Sequence, residues 1–167
     1  MLDRIVKTWE SVLYHLEQQS RHRGLQLSRL VRAELHSEYT YQLSEIHVID
    51  FIERTKNPNV TVIAAHLNMT RGAISKIMSK LLDRGDVVSF RQPDNQKNIY
   101  FQLTTRGEAV AKVHRIFHER AQTQIKELFS RYSAQELQII QRFLSDVTTH
   151  VDLTLSPNSS DVRQEES

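Results

Sequence analysis

Cysteine does not occur in the 167 residues. That excludes a disulfide framework, a thiolate metal site and a thiol switch. Glycine (four) and proline (three) are scarce, so the chain has little of the punctuation that sheet-rich folds need, and long helices are expected. No run approaches the ~18 apolar residues of a membrane span, and the first residues form no apolar signal core; the expectation is a cytoplasmic protein. No glycine-rich phosphate loop, cysteine nucleophile or recognisable acid–base pair is present, so the chain is not expected to be an enzyme. Charge is nearly balanced at +2, and the pI of about 9.0 leans towards an anionic partner without deciding it. The length suffices for one compact core without staples, and no internal repeat is visible.

What the chain does contain is concentrated between Val60 and Thr104. Thr70 is a good N-cap for a helix whose apolar residues Ala73, Ile74, Ile77, Met78, Leu81 and Leu82 recur every three or four positions, which puts all six on one face. The opposite face carries Arg71, Ser75, Lys76, Ser79 and Lys80, with Gly72 among them. Small residues let a backbone approach a major groove, and Arg or Lys then reach phosphates or guanine edges. Gly85 is placed to end this helix at C′. A shorter helix precedes it, capped by Thr61, with Ile63, Ala64 and Leu67 inward. Only Asn68 and Met69 separate that helix from Thr70, so the two must cross steeply. His66 on the short helix reads as a solvated side chain rather than a ligand.

A hairpin follows. Val87, Val88 and Phe90, then Ile99, Phe101 and Leu103, read as two strands with apolar and aromatic content, with a long polar loop from Gln92 to Asn98 between them. Across residues 70–103 six cations face three carboxylates, leaving +3, more than the whole chain carries. Positive charge is therefore gathered where helix, turn, helix and wing would meet phosphate. The expected DNA-facing set is Thr61, Thr70, Arg71, Gly72, Ser75, Lys76, Ser79, Lys80, Arg91, Asn95, Gln96 and Lys97.

The flanks read as helices. Ile5, Trp9, Val12, Leu13 and Leu16 are periodic from Leu2 to about Arg21, and Leu27, Leu30 and Val31 resume the pattern to Leu35, with continuation or a break near Gly24 both open. Ser44 is expected to cap a helix carrying Ile46, Val48, Ile49 and Ile52, which stops before Pro58. Thr105 with Glu108, and Ser133 with Glu136, have the spacing of capping boxes for a helix to about Tyr132 and a last one after it. In the last helix Leu137, Ile140, Leu144, Val147 and Val151 form a seam. With Ile5 and Val12 it is assigned to a dimer interface; packing within one subunit is the alternative. The polar stretch 153–167 is expected to be disordered.

These segments together resemble the MarR-type winged-helix transcriptional regulators, over residues 1 to about 152. The resemblance rests on Leu43-Ser44, on Thr61-Val62-Ile63-Ala64-Ala65-His66-Leu67, on Thr70-Arg71-Gly72-Ala73-Ile74-Ser75-Lys76, on Leu81-Leu82-Asp83-Arg84-Gly85-Asp86-Val87-Val88 and on Leu103-Thr104-Thr105-Arg106-Gly107. It implies a mainly α fold, a winged helix-turn-helix at 44–104 between dimerisation helices at 1–35 and 105–152, and one β-hairpin wing. It further implies a bacterial homodimeric repressor, responsive to a ligand and bound to a pseudo-palindromic operator. At the wing tip the family commonly has Asp-Arg-Arg where this chain has Asn95-Gln96-Lys97; lysine is the poorer minor-groove group.

The effector stays open. His114 and His118 stand four apart on one helix face, a zinc-ligand spacing, with Glu34, His36 and Glu38 in a loop expected nearby. With His47 they line up with a site in zinc-uptake repressors of the resembled family. Residues 45–50 and 113–118 also resemble fatty-acid-synthesis repressors that answer to acylated carrier protein, where these histidines need not bind metal. Hydrogen-bonded histidines between two helices are a third reading. Outside regulation, a winged helix serving only as a protein-interaction module is the alternative.

Overall fold

The computed structural model describes residues 1–93 and 95–155. The elements run α1 (Leu2–Glu34), α2 (Leu43–Arg54), α3 (Val60–His66), α4 (Arg71–Asp83), β1 (Val87–Gln92), β2 (Asn95–Leu103), α5 (Thr105–Phe129) and α6 (Ala134–Leu155). This is the mainly helical class with one hairpin that the sequence implied. The described residues divide into compact units at 1–120 and from 121 onward. No described helix is long and apolar enough to cross a membrane.

Helix α1 runs unbroken for 33 residues, about 50 Å at 1.5 Å per residue. Gly24 does not break it; a Cβ there would meet only the Leu43 side chain, at an ordinary 3.5 Å. The helix has two unlike halves. Leu27 and Val31 are buried in the core, whereas Leu2, Ile5, Val6, Val12, Leu13 and Leu16 are exposed.

Helix starts depart from the expected caps in three places. Ser44 does not cap α2; Gln42 does, and its amide donates to Glu45 Oε2 at 3.0 Å. Thr61 lies inside α3, because Asn59 accepts the Val62 amide at 3.0 Å. Thr105 is the first residue of α5, and Thr104 Oγ1 accepts the Gly107 amide at 3.2 Å. In each case a polar side chain one or two positions earlier reaches the orphan amide of the first turn. Thr70 and Ser133 are caps as expected: Thr70 accepts from Ala73 at 3.2 Å, and Ser133 and Glu136 bond reciprocally. Helix α5 stops at Phe129 rather than about Tyr132. Helix α6 continues to Leu155, past the expected boundary at 152, and the rest of the polar tail, 156–167, lies outside the described residues.

The core of the first unit joins Leu27 and Val31 of α1, Ile46, Val48, Ile49 and Ile52 of α2, Ile63 of α3, Ile74, Ile77, Met78 and Leu81 of α4, Val87 and Phe101 of the hairpin, and Val110 and Ala111 of α5. Leu82 is the exception to the six-residue face; it is exposed. Around residue 13 of α4 the periodic stripe drifts off the core, and Leu81 alone closes it.

One buried carboxylate fastens these elements. Asp86, with no exposed surface, lies between α4 and β1. Its Oδ1 accepts from the Tyr41 hydroxyl at 2.7 Å and from Arg106 Nε at 3.0 Å. Its carbonyl accepts the Thr104 amide at 3.1 Å. Gly85, at φ 72°, makes the left-handed turn that presents it, and the Asp86 amide caps Leu81 at 2.9 Å. Helix α5 then begins so close that a Cβ on Gly107 would lie 2.1 Å from the Asp86 carbonyl oxygen. Gly107→Ala is therefore expected to cost about 2–3 kcal/mol through overpacking against backbone. A urea melt would measure it, and a midpoint unchanged from wild type would refute this close approach.

Candidate functional site

Helices α3 and α4 meet through the turn Leu67–Thr70. Asn68 takes the left-handed conformation there, φ 50°, which asparagine tolerates better than most residues. The Met69 amide closes the turn on Ala64 at 3.0 Å. With Ile74, Ile77, Met78 and Leu81 buried, the opposite face of α4 is fixed outward: Arg71, Gly72, Ser75, Lys76, Ser79 and Lys80 are all exposed. Thr61 and Thr70 are exposed at the starts of α3 and α4. No described atom would lie within 4 Å of a Cβ on Gly72. Its lack of a side chain thus serves no contact inside the protein.

Two members of the row have internal partners. The Ser75 hydroxyl donates to the Arg71 carbonyl at 2.8 Å. Lys80 Nζ lies 3.6 Å from Glu45 Oε1, a carboxylate only 2% exposed that also pairs with Arg84 at 2.7 Å. The far end of the cationic row is therefore drawn back towards α2, and Arg71 and Lys76 are the forward cations.

The hairpin is antiparallel, with Val87 opposite Leu103 and Phe90 opposite Tyr100. The Phe101 amide also donates to the Pro58 carbonyl at 3.1 Å, which ties the wing to the entry of α3. The tip differs from the expected seven-residue loop. Strand pairing resumes at Gln92 and Asn95, so only residues 93 and 94 lie between the strands. The extra length is carried by a bulge, in which Arg91 alone on β1 faces residues 96–99 on β2. Arg91 donates to the Gln96 carbonyl, and Gln96 Nε2 donates to the Gln92 carbonyl at 3.0 Å. Arg91, Gln96 and Lys97 are exposed; Asp94 and the Asn95 side chain lie outside the described residues.

The three singled-out histidines come together between α2 and α5. His47 and His114 rings are 5.5 Å apart at 75°, and those of His114 and His118 are 4.4 Å apart. His114 is buried. Its Nδ1 donates to Asp50 Oδ1 at 2.9 Å, so in the neutral ring Nε2 is the acceptor, and His118 Nε2 donates to it at 3.0 Å. Asp50 also accepts from Arg54 at 2.8 Å. Burial holds both His47 and His114 below the ordinary 6.5; Asp50 opposes that shift, and the charge of His118 adds to it. His36 is a left-handed residue after α1 whose Nδ1 donates to the Ala33 carbonyl at 2.9 Å. Among the described residues no group of three or more His, Asp or Glu side chains is already arranged around a metal position. His66 is exposed and stacks on Phe51, centroids 4.1 Å apart at 20°.

Of the residues assigned to a dimer seam, Ile5, Val12 and Leu144 are exposed and Leu137, Ile140 and Val147 half-buried; Val151 lies outside the described side chains. The roles of Asp50, Tyr41, Asp86 and Asn59 escaped the sequence reading. Asn59 alone had a usable signal, an N-cap residue directly before the apolar run.

No protein-family model matches the sequence. The chain is 31% identical over 121 residues to the uncharacterised HTH-type transcriptional regulator YhjH of Bacillus subtilis (strain 168), across 72% of this chain and 69% of that protein. Its fold is similar to the crystal structure of Lactococcus lactis ZitR, a zinc-responsive MarR family member, with a TM-score of 0.71 and 21% identity over 88% of this chain and 99% of that one. It is similar also to Streptococcus pneumoniae FabT in complex with DNA, with a TM-score of 0.67 and 16% identity over 86% and 97% of the two chains.

The lowered histidines give stability a pH dependence. Below about 6.5 the unfolded chain takes up protons that half-buried His47 and buried His114 refuse, so folded stability falls as pH falls through that window and is flat above it. Thermal melts from about pH 7 to about pH 5 are expected to show this loss, and His114→Gln to make it shallower. An identical slope in the variant would remove His114 from the account.

Proposed function

The chain belongs to the MarR-type winged helix-turn-helix transcriptional regulators, and from that premise we propose that it acts as a ligand-responsive homodimeric repressor reading a pseudo-palindromic operator in double-stranded DNA. The observation that carries the reading is the outward face of α4, where Gly72, Ser75 and Ser79 alternate with Arg71 and Lys76. Small residues admit the major groove, and the two forward cations reach base edges or phosphates there. The Thr70 end enters first, since the cap and first turn of a recognition helix face the bases. Arg91, Gln96 and Lys97 take the wing to the adjacent backbone, with Arg91 the strongest phosphate partner among them.

Pairing of two copies through the exposed apolar residues of α1 and the seam of α6 sets two reading heads roughly 34 Å apart, one turn of DNA. An effector that changes the angle between copies takes the heads out of register with the two half-sites. A cavity of about 730 Å³ lined by Gly24, Leu25, Ser28, Arg29, Tyr41 and Leu43 has the size of a small-ligand site. An acyl group delivered by a carrier protein, or another small ligand, is the effector class assigned to it.

The histidine cluster favours a second reading of the effector, zinc. Three imidazoles converge, and Asp50 holds the His114 Nδ1 proton, the outer-shell arrangement that orients a metal-ligating histidine through its other nitrogen. His47, His114 and His118 would be the ligands. Zinc would supply a cation that locks α2 to α5, displacing the His118 Nε2 proton from its bond to His114.

Selection of duplexes from a random library, followed by gel shifts, tests the DNA reading. Arg71→Ala is expected to weaken the selected site by about 1–3 kcal/mol. Gly72→Ala is expected to weaken it too, while raising fold stability by up to about 1 kcal/mol. Affinity should fall steeply with salt; a protein that shows no salt-dependent DNA binding is an interaction module instead. Zinc is tested by titration against a chromophoric chelator: one ion per chain, lost in His114→Ala, is expected, and equal uptake by wild type and variant would remove this site.

A further inference from the structure

Tyr41 is wholly buried and so cannot touch DNA, yet it is held at both ends. The Ser28 hydroxyl of α1 donates to the Tyr41 carbonyl at 2.6 Å. The Tyr41 hydroxyl donates to Asp86 Oδ1 at 2.7 Å. Asp86 is the residue on which both DNA-facing elements hang: its amide bonds back to Leu81 at the end of α4, and Val87 directly after it begins β1 and pairs with Leu103. One tyrosine thus spans from the long helix to the joint between recognition helix and wing. The bond is a firm one. Burial first, and Asp86 second, push the phenol up to about 12, so the hydroxyl keeps its proton and remains a donor at any physiological pH. Asp86 Oδ2 has no hydrogen-bond partner among the described residues, which leaves Oδ1 to carry the carboxylate's bonds to Tyr41 and Arg106.

Arg84 adds a second grip on the same ring. Its guanidinium lies 4.8 Å from the Tyr41 ring centroid and 2.7 Å from Glu45 of α2. The ring therefore meets the C-cap residue of α4, while the Tyr41 carbonyl is held by α1.

We propose that Tyr41 is a positioning residue for sequence recognition: through its hydroxyl bond to Asp86 it fixes where the recognition helix and the wing sit relative to α1. The proposal rests on the DNA-binding reading above. Base-edge contacts tolerate only small displacements of a reading head, whereas attraction to phosphates carries no sequence information. Loss of the tether therefore lowers selectivity and leaves the electrostatic part of binding in place.

The test uses the full chain, wild type and Tyr41→Phe, with two duplexes of equal length: one selected by the wild-type protein and one scrambled. Phenylalanine keeps the ring and its packing and removes only the donor. The expected result is about a tenfold loss of affinity for the selected duplex, no change for the scrambled one, and the same slope of log affinity against log salt. A purely structural role would lower both affinities together through the folded fraction, or neither, and an unchanged ratio of the two overturns the proposal. Ser28→Ala cuts the tether at its other end and is expected to give the same change in ratio. The double variant is expected to be no worse than either single one, since both break one connection. Should Tyr41→Phe not fold, the ratio in Ser28→Ala decides. A wild-type protein that prefers no duplex over another takes down the DNA reading and the proposal together, an outcome distinct from a selective wild type with an equally selective variant.

Discussion

The first unit depends on one buried negative charge. A carboxylate removed from water needs cationic or hydrogen-bonding partners, and removing a partner from such a group is strongly destabilising. Asp86 meets that need with Tyr41 from the linker after α1 and Arg106 from the start of α5. The partners come from segments 45 and 20 residues away in sequence. Satisfying the charge therefore forces the linker, the α4–β1 joint and the head of α5 into one place. The geometry around it is correspondingly tight: a left-handed glycine delivers Asp86, and a side-chain-free glycine lets α5 come against it. Glu45 repeats the device a short distance away with Arg84 and Lys80. The cationic surface of α4 is thus buttressed from behind by buried carboxylates, which orient Lys80 and Arg84 and leave Arg71 and Lys76 facing out.

The two faces of α4 show a division between what is rigid and what is chemical. Rigidity comes from Ile74, Ile77, Met78 and Leu81, whose burial fixes the rotation of α4 about its axis. Chemistry comes from the residues this rotation leaves outside. Because the two sets share one short helix, each outward residue has its direction set by its inward neighbours three and four positions away. The histidine cluster follows the same logic between α2 and α5. Its hydrogen-bond chain, from His118 through His114 to Asp50, has a definite polarity, set by the single proton that Asp50 holds on Nδ1 of His114.

Much of this was legible in the residues, for physical reasons that differ from place to place. The apolar period of α4, the Thr70 cap and the Gly85 stop are local signals, and local signals survive folding. The cap errors at Ser44, Thr61 and Thr105 share a cause: each lies one or two positions after another polar residue able to cap, and only the backbone path of the preceding loop decides which of the two reaches the amide. The wing tip was misread because strand pairing at Gln92 and Asn95 is held by Arg91 and Gln96 reaching carbonyls across the ladder, and polar side chains in a turn-rich stretch look like loop. The clustering of His47 with His114 and His118 was suggested by alignment with a family, not by spacing alone. Asp50 as their partner, and Tyr41 with Asp86, are contacts between segments far apart in sequence, which no window of sequence contains.

The bulge in the hairpin has a consequence for how such a chain can change over generations. Near the core the ladder is in strict register, from Val87 opposite Leu103 to Phe90 opposite Tyr100, and a single inserted residue there would turn every side chain to the wrong face. Beyond Phe90 that constraint ends, since one residue already faces four. Insertions and deletions at the tip are absorbed where the ladder is already irregular and leave the root untouched. The hairpin therefore joins a register-bound root to a length-tolerant tip, so a change of length at the tip leaves the seat of α4 as it is.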